Sequence, residues 1–402
     1  MAGLPSSEPL AEVIKEVLQN SDQTLAVEKI NEFLDKQNNI PLNIAVTGES
    51  GSGKSTFVNA FRGINNGDDG AAPTGCVETT TEVTAYPHPN YPNVVLWDLP
   101  GIGTTKFPAN KYKKHVGLEK YDFFIIISDT RFRENDVRLA KKIRKMKKKF
   151  YFVRSKIDRD LQSEEITCKS NFDREKTLTK IRDNCIQGLQ KEGFESPQVF
   201  LGSSFNLHDF DFPQLQETLE TELPEHKKDA LLRTTPITSL EIIKKKKNAF
   251  KSKIKYYAAA SAVGAAVPVP GLSIAVDVGI LIAAITQYVV GFGLDVSTLQ
   301  RLAARINVPF KDLMSVTVSP LAAKRVTRDL VVRVLSSLAG TAALMATEEG
   351  SRLIPILGIP VSMGVSFITT YKGLNHILDM LTEDSERVFK RALTPQSDAS
   401  YS

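Results

Sequence analysis

Residues 48–55 of this chain, which read GESGSGKS, have the composition and order of a loop that binds phosphate groups. The glycines let consecutive backbone N–H groups point inward around phosphate oxygens, and a helix that starts at the loop's end adds partial positive charge. Lys54 can reach the β- and γ-phosphates of a nucleotide, and the hydroxyl of Ser55 can bind Mg²⁺. A Gly/Ser-rich turn that matches by chance is the alternative, and the flanking strand-like and helix-like segments argue against it. The predicted phosphate-binding residues are Glu49, Ser50, Gly51, Ser52, Gly53, Lys54, Ser55 and Thr56.

A second polar group, Asp98-Leu99-Pro100-Gly101, directly follows the apolar segment 94–97. An aspartate at a strand end can hold Mg²⁺ through a water molecule, and the N–H of Gly101 can bind the γ-phosphate. Coupling of this kind would make residues 98–108 a switch that senses the phosphate.

A third group, Ser155-Lys156-Ile157-Asp158, follows the apolar segment 150–154. A carboxylate there can accept hydrogen bonds from both N1–H and the 2-amino group of guanine, whereas adenine offers no such donor pair. Asp158 therefore predicts guanine selection, with the stem of Lys156 lying over the base plane. Ser155 supplies a hydroxyl where Asn or Thr is usual, and a solvated loop ion pair is the alternative interpretation. Ser203 and Ser204 can contact the base through backbone or hydroxyl groups.

The segment between the phosphate loop and the next strand carries several hydroxyl groups where a first switch would complete the coordination of Mg²⁺. The candidates are Thr74, Thr79, Thr80 and Thr81, and the sequence leaves the choice open. The predicted metal site contains Thr74 together with Ser55 and Asp98. Water-positioning GTPases often carry a glutamine directly after the D-x-x-G motif, whereas Ile102 stands there in this chain. Isoleucine cannot orient a water molecule, so we expect slow intrinsic hydrolysis unless another group or another molecule supplies this function.

These groups need a scaffold, and residues 41–222 alternate strand-like and helix-like segments, which predicts an α/β fold with a mostly parallel sheet and helices on both faces. A hairpin loop at 87–92 indicates one antiparallel strand. The predicted strands are 42–47, 83–86, 94–97, 123–128, 150–154 and 199–201. The predicted helices are 54–62, 110–119, 135–147 and 172–192.

The flanking segments predict helices almost throughout. Residues 8–37 have helical apolar spacing with a break at Ser21-Asp22, which predicts a helical hairpin. A change of composition over 223–238 suggests a boundary. The predicted domains are 1–39, an N-terminal helical segment; 40–222, the nucleotide-binding domain; and 223–402, a C-terminal helical domain.

The composition of the 402-residue chain indicates which partners and which cellular compartment to expect. Lys and Arg number 51 against 46 acids, and because that excess is local it does not indicate nucleic acid binding. The three cysteines lack metal-binding spacing and indicate a reducing compartment. The N-terminus lacks the patterns of a secretory signal or of myristoylation, and the C-terminus lacks a prenylation box. We expect a cytoplasmic protein that is not secreted, and any membrane contact would come from the folded protein itself.

Two lysine-rich segments allow two interpretations each. The run at 141–149 is a solvated helix face or, alternatively, a patch that faces phosphate or lipid. The lysines at 244–255 adjoin apolar segments at 256–276 and 278–294, which predict buried helices of an all-α domain. Membrane insertion or a lipid-facing hairpin is the alternative, since the lysines would suit anionic headgroups.

The chain resembles the immunity-related (interferon-inducible) GTPase family. The stretches that carry the resemblance are GESGSGKSTFVNA at 48–60, WDLPGIG at 97–103, YDFFIIIS at 121–128 and KKFYFVRSKID at 148–158. The similarity is dense from about 41 to 162 and looser through the helical C-terminal half. Because Lys54 follows Gly53, the chain resembles the lysine-bearing effector branch of the family.

The resemblance implies a Ras-like P-loop G domain combined with an all-α helical domain formed by the N- and C-terminal segments. It implies nucleotide-dependent self-assembly through the nucleotide face, with hydrolysis activated across that dimer. By resemblance, Glu78 is the acid of the first switch that acts in this activation, and Arg131 and Glu49 match family positions at the interface. The family acts on intracellular membranes in cell-autonomous immunity, and some members carry an N-terminal lipid signal that this chain lacks.

Together these observations predict an enzyme that hydrolyses GTP to GDP and phosphate with Mg²⁺ and is activated by self-assembly. Lys54, Glu78 and Arg131 are the predicted catalytic residues. The predicted partners are GTP or GDP, a second copy of the chain and an anionic membrane surface. The alternative is a nucleotide-gated binding or membrane-remodelling module that hydrolyses weakly, which Ile102 and residues 244–294 motivate.

Overall fold

A computed structural model describes residues 7–20, 22–75, 82–100, 116–130, 133–265, 272–342, 359 and 363–394. The chain divides into two compact units, each considered separately below. The nucleotide unit comprises residues 40–238, and the helical unit comprises residues 1–39 and 239–402.

The nucleotide unit is built on a six-stranded sheet with the order β2-β3-β1-β4-β5-β6. Strand β2 runs antiparallel to β3 and the other neighbours are parallel, which confirms the predicted fold class and the hairpin. Every residue of β4 is buried, as expected for a central strand covered on both faces. The strands are β1 (Leu42–Thr47), β2 (Thr84–His88), β3 (Tyr91–Asp98), β4 (Phe123–Ser128), β5 (Lys149–Arg154) and β6 (Val199–Leu201).

The helices described in the structure are numbered here along the chain. In the nucleotide unit they are α3 (Lys54–Phe61), α4 (Glu134–Lys145), α5 (Ile157–Cys168), α6 (Arg174–Lys191), α7 (Phe212–Glu222) and α8 (Glu225–Thr234). In the helical unit they are α1 (Ser7–Gln19), α2 (Gln23–Asn38), α9 (Leu240–Gly264), α10 (Leu272–Gly291), α11 (Val296–Arg305), α12 (Phe310–Ser315), α13 (Arg328–Ala342) and α14 (Gly364–Leu393).

Helices α3, α4 and α6 occupy three of the four predicted helical segments of the nucleotide unit. The fourth, 110–119, lies mostly outside the described residues, and its end forms a short 3₁₀ turn at Leu118–Lys120. Helices α5 and α7 were not among the predicted segments. In α5 only Ile157 and Leu161 are buried, so its apolar spacing is weak.

Apolar cores fill both faces of the sheet. On one face Phe57, Val58 and Phe61 of α3 pack with strand residues and with Leu231 of α8. On the other face Leu139, Ile143, Leu189 and their neighbours from α4 and α6 form the second core. The strands contribute alternating residues to the two cores. On the first face these include Leu42, Ile44, Val46, Val94, Leu96, Ile125 and Ile127, and on the second face Ala45, Phe124, Ile126 and Phe152.

The second domain boundary lies at 238/239 instead of the predicted 222/223. Residues 223–238 stay with the sheet because Ala230 and Leu231 are buried in its core. Gln216 of α7 adds two polar contacts to this segment, since it accepts from the Thr238 hydroxyl at 2.6 Å and donates to the Pro236 carbonyl at 3.0 Å. The change of composition at 223 marks a short connection between two helices, α7 and α8, of one unit.

In the helical unit, α1 and α2 form the predicted hairpin. Asp22 caps α2, because its side chain accepts a hydrogen bond from the backbone N–H of Leu25 at 2.9 Å. Helix α9 packs against α2, α10 and α14 and buries most of its second half.

The lysines at 244–255 face different surroundings. Lys246 is buried and donates to the carbonyl of Gly291 at the end of α10, at 2.9 Å. Lys253 is also buried and donates to the side-chain oxygen of Asn38 at the end of α2, at 2.9 Å. Lys244 and Lys251 are exposed. The alternative interpretation, in which the lysines face lipid headgroups, is therefore wrong for the two buried members.

Within the described residues, one stretch, Val278–Arg305, is apolar and long enough to cross a membrane, judged by length and composition alone. In α10 the buried residues Leu281, Ile285 and Tyr288 recur at helical spacing, whereas Ala283 and Thr286 are exposed. This distribution is typical of a helix that packs one face against a protein core.

The lysine run at 141–149 is largely engaged within the nucleotide unit. Lys141 pairs with Glu192 at 2.8 Å, and Lys149 pairs with Glu222 at 2.7 Å. Lys148 donates to the carbonyl of Glu119 at 3.1 Å. These protein partners argue against a phosphate- or lipid-binding patch. They also differ from the predicted solvated helix face, since Lys148 and Lys149 lie beyond the end of α4.

Candidate functional site

The phosphate loop lies where the order of strands along the chain reverses. The strands that follow β1 in the chain lie on opposite sides of it, β3 on one and β4 on the other. In open α/β sheets, ligands bind outside the carboxyl ends of the strands at this position. Residues 48–53 leave the carboxyl end of β1 there and enter α3 at Lys54.

Glycines shape this loop. Gly48, Gly51 and Gly53 have φ angles of 139°, 77° and 97°, which side chains of L-amino acids rarely allow. At Gly48 a β-carbon would also lie 2.0 Å from the carbonyl oxygen of Ile127, so the loop can pass β4 only without a side chain. The loop therefore presents backbone at the N-terminus of α3, where an anion is favoured.

Lys54 and Ser55 open helix α3, and both side chains are buried. The Lys54 ammonium donates to the carbonyl of Glu49 at 2.8 Å, so it lies folded along the phosphate loop. The Ser55 hydroxyl donates to the Asp98 carboxylate at 2.5 Å. Parallel pairing of β1 with β3 places Val46 beside Asp98, which explains how the loop and the strand end meet.

These groups fit a magnesium ion carried by a nucleotide. The Ser55 hydroxyl and the Asp98 carboxylate offer adjacent hard oxygen atoms, the kind of ligand Mg²⁺ prefers. Within the described ranges, no group of three or more His, Cys, Asp or Glu residues could hold a metal ion alone. The predicted metal ligand Thr74 is exposed. It lies two residues beyond Ala72, whose carbonyl accepts a hydrogen bond from the side-chain amide of Asn59 and whose N–H donates to the side-chain oxygen of Asn59.

The residues predicted to bind the base come together at the ends of β5 and β6. The Ser155 hydroxyl donates to the carbonyl of Ser52 at 2.7 Å, which ties this segment to the phosphate loop. Ile157 N–H donates to the carbonyl of Gly202 at 3.3 Å, which brings the segment after β6 alongside. Ser203 is buried and its hydroxyl accepts from the N–H of Phe205 at 3.2 Å, whereas Ser204 is half-buried.

The side chain of Lys156 is hydrogen-bonded to the phosphate loop, whereas that of Asp158 has no partner among the described residues. Lys156 has a φ of 58°, and its ammonium donates to the carbonyl of Gly51 at 2.6 Å, so its stem crosses the loop. Asp158 is half-buried in the first turn of α5 and has no hydrogen bond or ion pair to the residues that the structure describes. Its two acceptor oxygens are therefore available to a ligand that offers two donors.

An ion pair beside the phosphate loop was not predicted. Arg133, at the start of α4, pairs with Glu49, and Asn135 donates to the same carboxylate at 3.4 Å. This pairing raises the pKa of Arg133. Polar residues so distant in the chain show no sequence pattern that would reveal their contact.

Asp136 lies fully buried in the first turn of α4. Burial raises the pKa of its carboxyl to about 7 and the charge of Glu49 adds to that effect, while the N–H of Arg133 opposes it. This acid therefore exchanges its proton near neutral pH at the edge of the site.

Six predicted or candidate site residues lie outside the described residues: Glu78, Gly101, Arg131 and the metal-ligand candidates Thr79, Thr80 and Thr81. The same holds for Ile102 and for most of the predicted switch at 98–108. Their assignments stay predictions. The described part of the site contains the phosphate loop, Asp98 and the segments after β5 and β6.

A Ras-like sheet with a phosphate loop at the point of reversal, a strand-end aspartate beside it and an available carboxylate after β5 defines a P-loop GTPase. A family model described as Interferon-inducible GTPase (IIGP) matches residues 7–392. The chain belongs to this family, and it is a GTPase.

Curated relatives agree with this assignment. Interferon-inducible GTPase 5 of Rattus norvegicus is 40% identical over 382 residues, which cover 95% of this chain and 82% of the relative. Interferon-inducible GTPase 1 of Mus musculus is 36% identical over 385 residues, covering 96% and 90% respectively. Among solved structures, NFeoB of S. thermophilus bound to GDP and AlF₄⁻ aligns with a TM-score of 0.29 and 15% identity, covering 61% of this chain and 91% of that chain.

Proposed function

We propose that the chain hydrolyses GTP to GDP and phosphate with Mg²⁺, and that hydrolysis accelerates when two copies meet through their nucleotide-binding faces. The observation that carries the nucleotide part is the buried pair of Ser55 and Asp98 beside Lys54, at the mouth of a glycine loop. The part on self-assembly rests on the resemblance to the family.

The phosphate half of the site works by charge and position. Backbone N–H groups of the loop would surround the phosphate oxygens, and the Lys54 ammonium would exchange the Glu49 carbonyl for the β- and γ-phosphates. Ser55 and Asp98 would hold Mg²⁺, Asp98 through water, and the ion supplies charge neutralisation at the phosphates. These interactions favour a transition state in which negative charge spreads over the transferred phosphoryl group.

The base half selects guanine. Asp158 would accept from N1–H and the 2-amino group, and the carbon chain of Lys156 would lie against one face of the base. Ser155 holds the segment on the phosphate loop, while Ser203 and Ser204 lie beside it. A site built to hydrogen-bond a substrate rejects an analogue that lacks the donors, because its own polar groups then stay unpaired.

The family resemblance supports activation by a second copy, and Ile102 is consistent with it. Ile102 cannot position the attacking water, so another group must do so. Glu78 of the first switch, together with Arg131 and Glu49, would act at a face shared with a second copy. Glu49 lies on the phosphate loop, where such a face would form.

Turnover per molecule, measured against protein concentration at saturating GTP, tests this activation. We expect turnover to rise with concentration and then to level off as the dimer saturates. Constant turnover would contradict activation by assembly. Single-turnover assays at high protein concentration distinguish a self-activated GTPase from a weakly hydrolysing binding module. Absence of phosphate release in these assays would favour the binding module.

We further propose a cytoplasmic protein that acts in cell-autonomous immunity as a peripheral protein on anionic intracellular membranes. The exposed lysines Lys244 and Lys251 support contact with lipid headgroups, at about 1 kcal/mol for each basic residue near the surface. Flotation with anionic vesicles should decrease for K244Q/K251Q, which leaves the buried Lys246 and Lys253 in place. The matched control, K145Q/K147Q, neutralises two exposed lysines of the nucleotide unit. Equal flotation of all forms would exclude this electrostatic contribution.

A further inference from the structure

Four charged side chains of alternating sign form a row along the phosphate loop. The Lys156 ammonium pairs with the Asp129 carboxylate at 2.8 Å. The other oxygen of Asp129 lies 3.7 Å from the guanidinium of Arg133, and Arg133 pairs with Glu49. The row therefore begins at the residue predicted to lie over the base and ends on the phosphate loop.

The sheet explains why Asp129 occupies the middle of this row. Ser128, the last residue of β4, pairs in register with Arg154 of β5. The next residues of both strands leave the sheet at the same edge, and the N–H of Ser155 donates to the carbonyl of Ser128 at 2.8 Å. Asp129 and Lys156 are thereby placed side by side.

The Lys156–Asp129 pair is partly buried, whereas the side chain of Arg133 is 43% exposed. The side chains of Asp129 and Lys156 are 23% and 31% exposed, and Lys156 also donates to the carbonyl of Gly51 at 2.6 Å. Two acceptors on different segments therefore fix one flexible ammonium. Charge-assisted hydrogen bonds of this kind are stronger than those between neutral groups.

We propose that Asp129 is a positioning residue for the guanine nucleotide. It holds the stem of Lys156 in place for the base, through the ion pair between the two side chains. The proposal rests on the guanine-nucleotide site proposed above. Asp129 itself need not contact the nucleotide.

Charge alone predicts the opposite effect. Asp129 is an acid close to a site for anionic phosphates, so its removal should strengthen nucleotide binding if it acted only through long-range electrostatics. If Asp129 positions Lys156, its removal loosens the contact to the base and weakens binding. The sign of the change therefore separates the two roles.

The experiment measures affinity and dissociation rate for GDP, with the full chain and its D129A, D129N and D129E variants. For D129A we expect GDP to dissociate about tenfold faster, with kcat at saturating GTP changed less than about twofold. D129N keeps an acceptor for Lys156 and should lose less, and D129E should recover most of the affinity. Affinity of D129A that is equal to or tighter than that of the natural chain would overturn the proposal.

A double-mutant cycle tests whether Asp129 acts through Lys156. In a K156M background, D129A should cost no further affinity, because the side chain to be positioned is gone. A full tenfold loss in that background would contradict positioning through Lys156. If circular dichroism shows that D129A does not fold, D129N, which has the same shape as aspartate, is compared with D129N/K156M instead.

A matched control removes an acid from a similar ion pair elsewhere in the nucleotide unit. Glu192 pairs with Lys141 at the same 2.8 Å, near the end of α4 opposite to Arg133. E192A should leave GDP affinity unchanged, and a loss equal to that of D129A would show that breaking any surface ion pair of this unit weakens binding, which would overturn the proposal. If the natural chain binds no GDP, the proposed function fails; if it binds GDP and D129A binds equally well, only the role of Asp129 fails.

Discussion

Buried lysines in the two units show how position decides the role of a charge. Lys54 in the nucleotide unit and Lys246 and Lys253 in the helical unit are all buried, and each donates to an oxygen atom at 2.8–2.9 Å. Lys54 stands at the N-terminus of α3 in a loop of glycines. The other two lie within α9 and reach the C-terminal ends of α10 and α2.

The difference lies in the helix end that each lysine meets. At a C-terminus, a lysine interacts favourably with the helix dipole. Lys246 also satisfies the backbone carbonyl of Gly291, whereas Lys253 binds the side-chain oxygen of Asn38. At an N-terminus, a lysine adds positive charge where the helix already carries some, so the arrangement is complete only with an anion. A buried lysine therefore indicates a ligand site at the N-terminus of a helix and a stabilising contact within the protein at the C-terminus.

The largest expected effect is the loss of Lys54. K54A should weaken GTP binding at least about a hundredfold, because a phosphate group then lacks its charged partner, at a cost of about 3 kcal/mol. The thermal stability of the nucleotide-free protein should change little. Equilibrium titration with a fluorescent GTP analogue measures the affinity, and a change below threefold would remove the distinction between this lysine and the two in α9.

The next effect concerns Asp136 and depends on pH. Burial raises the pKa of its carboxyl from 3.8 to about 7, so the folded protein holds this proton more tightly than the unfolded chain. The resulting stability is full below about pH 4 and is lost as pH rises to 7, by an amount on the order of 2–4 kcal/mol.

D136N keeps the shape of the side chain and removes this titration. We expect its free energy of unfolding, relative to the natural chain, to increase between pH 4 and pH 7 and to stay constant above. Urea unfolding at several pH values can follow the fluorescence of Trp97, the single tryptophan of the chain, which lies in β3. A difference that does not vary with pH would contradict the raised pKa.

The smallest effect is expected from Lys246. K246M leaves the carbonyl of Gly291 without this donor and should destabilise the helical unit by about 1–2 kcal/mol. GTP affinity per folded molecule should stay unchanged, which is the reverse of K54A. Thermal unfolding followed by circular dichroism measures the stability, and the same titration measures the GTP affinity. A loss of affinity without a loss of stability would contradict a purely stabilising role for Lys246.

The sequence predicted the sheet well because its strands are short apolar runs that each end in a polar loop. The elements that carry Lys54, Asp98 and Asp158 follow from that pattern, since side chains at the carboxyl ends of parallel strands share one edge. Lys246 and Lys253 were not separated from their exposed neighbours. They lie seven residues apart on the face that also carries the buried Ile243, Phe250 and Ile254, so heptad spacing within the cluster could have revealed them.

Other features lay beyond sequence reasoning. The row from Lys156 through Asp129 and Arg133 to Glu49 depends on three segments that only the fold brings together. Polar residues in loops carry no periodicity, so nothing in their order reveals which acid meets which base. The boundary near 238 was missed for a similar reason, because Leu231 is buried against a sheet formed far earlier in the chain.

Base selection by Asp158 is the central claim, and one substitution tests it directly. D158N replaces an acceptor that suits the 2-amino group of guanine with an amide that can donate to the 2-oxo group of xanthine. Titration of D158N and of the natural chain with GDP, XDP and ADP compares the bases with the same phosphates. We predict that D158N loses at least about a hundredfold in GDP affinity and prefers XDP, while the natural chain prefers GDP. Unchanged GDP affinity in D158N, or a preference of the natural chain for ADP, would contradict the account.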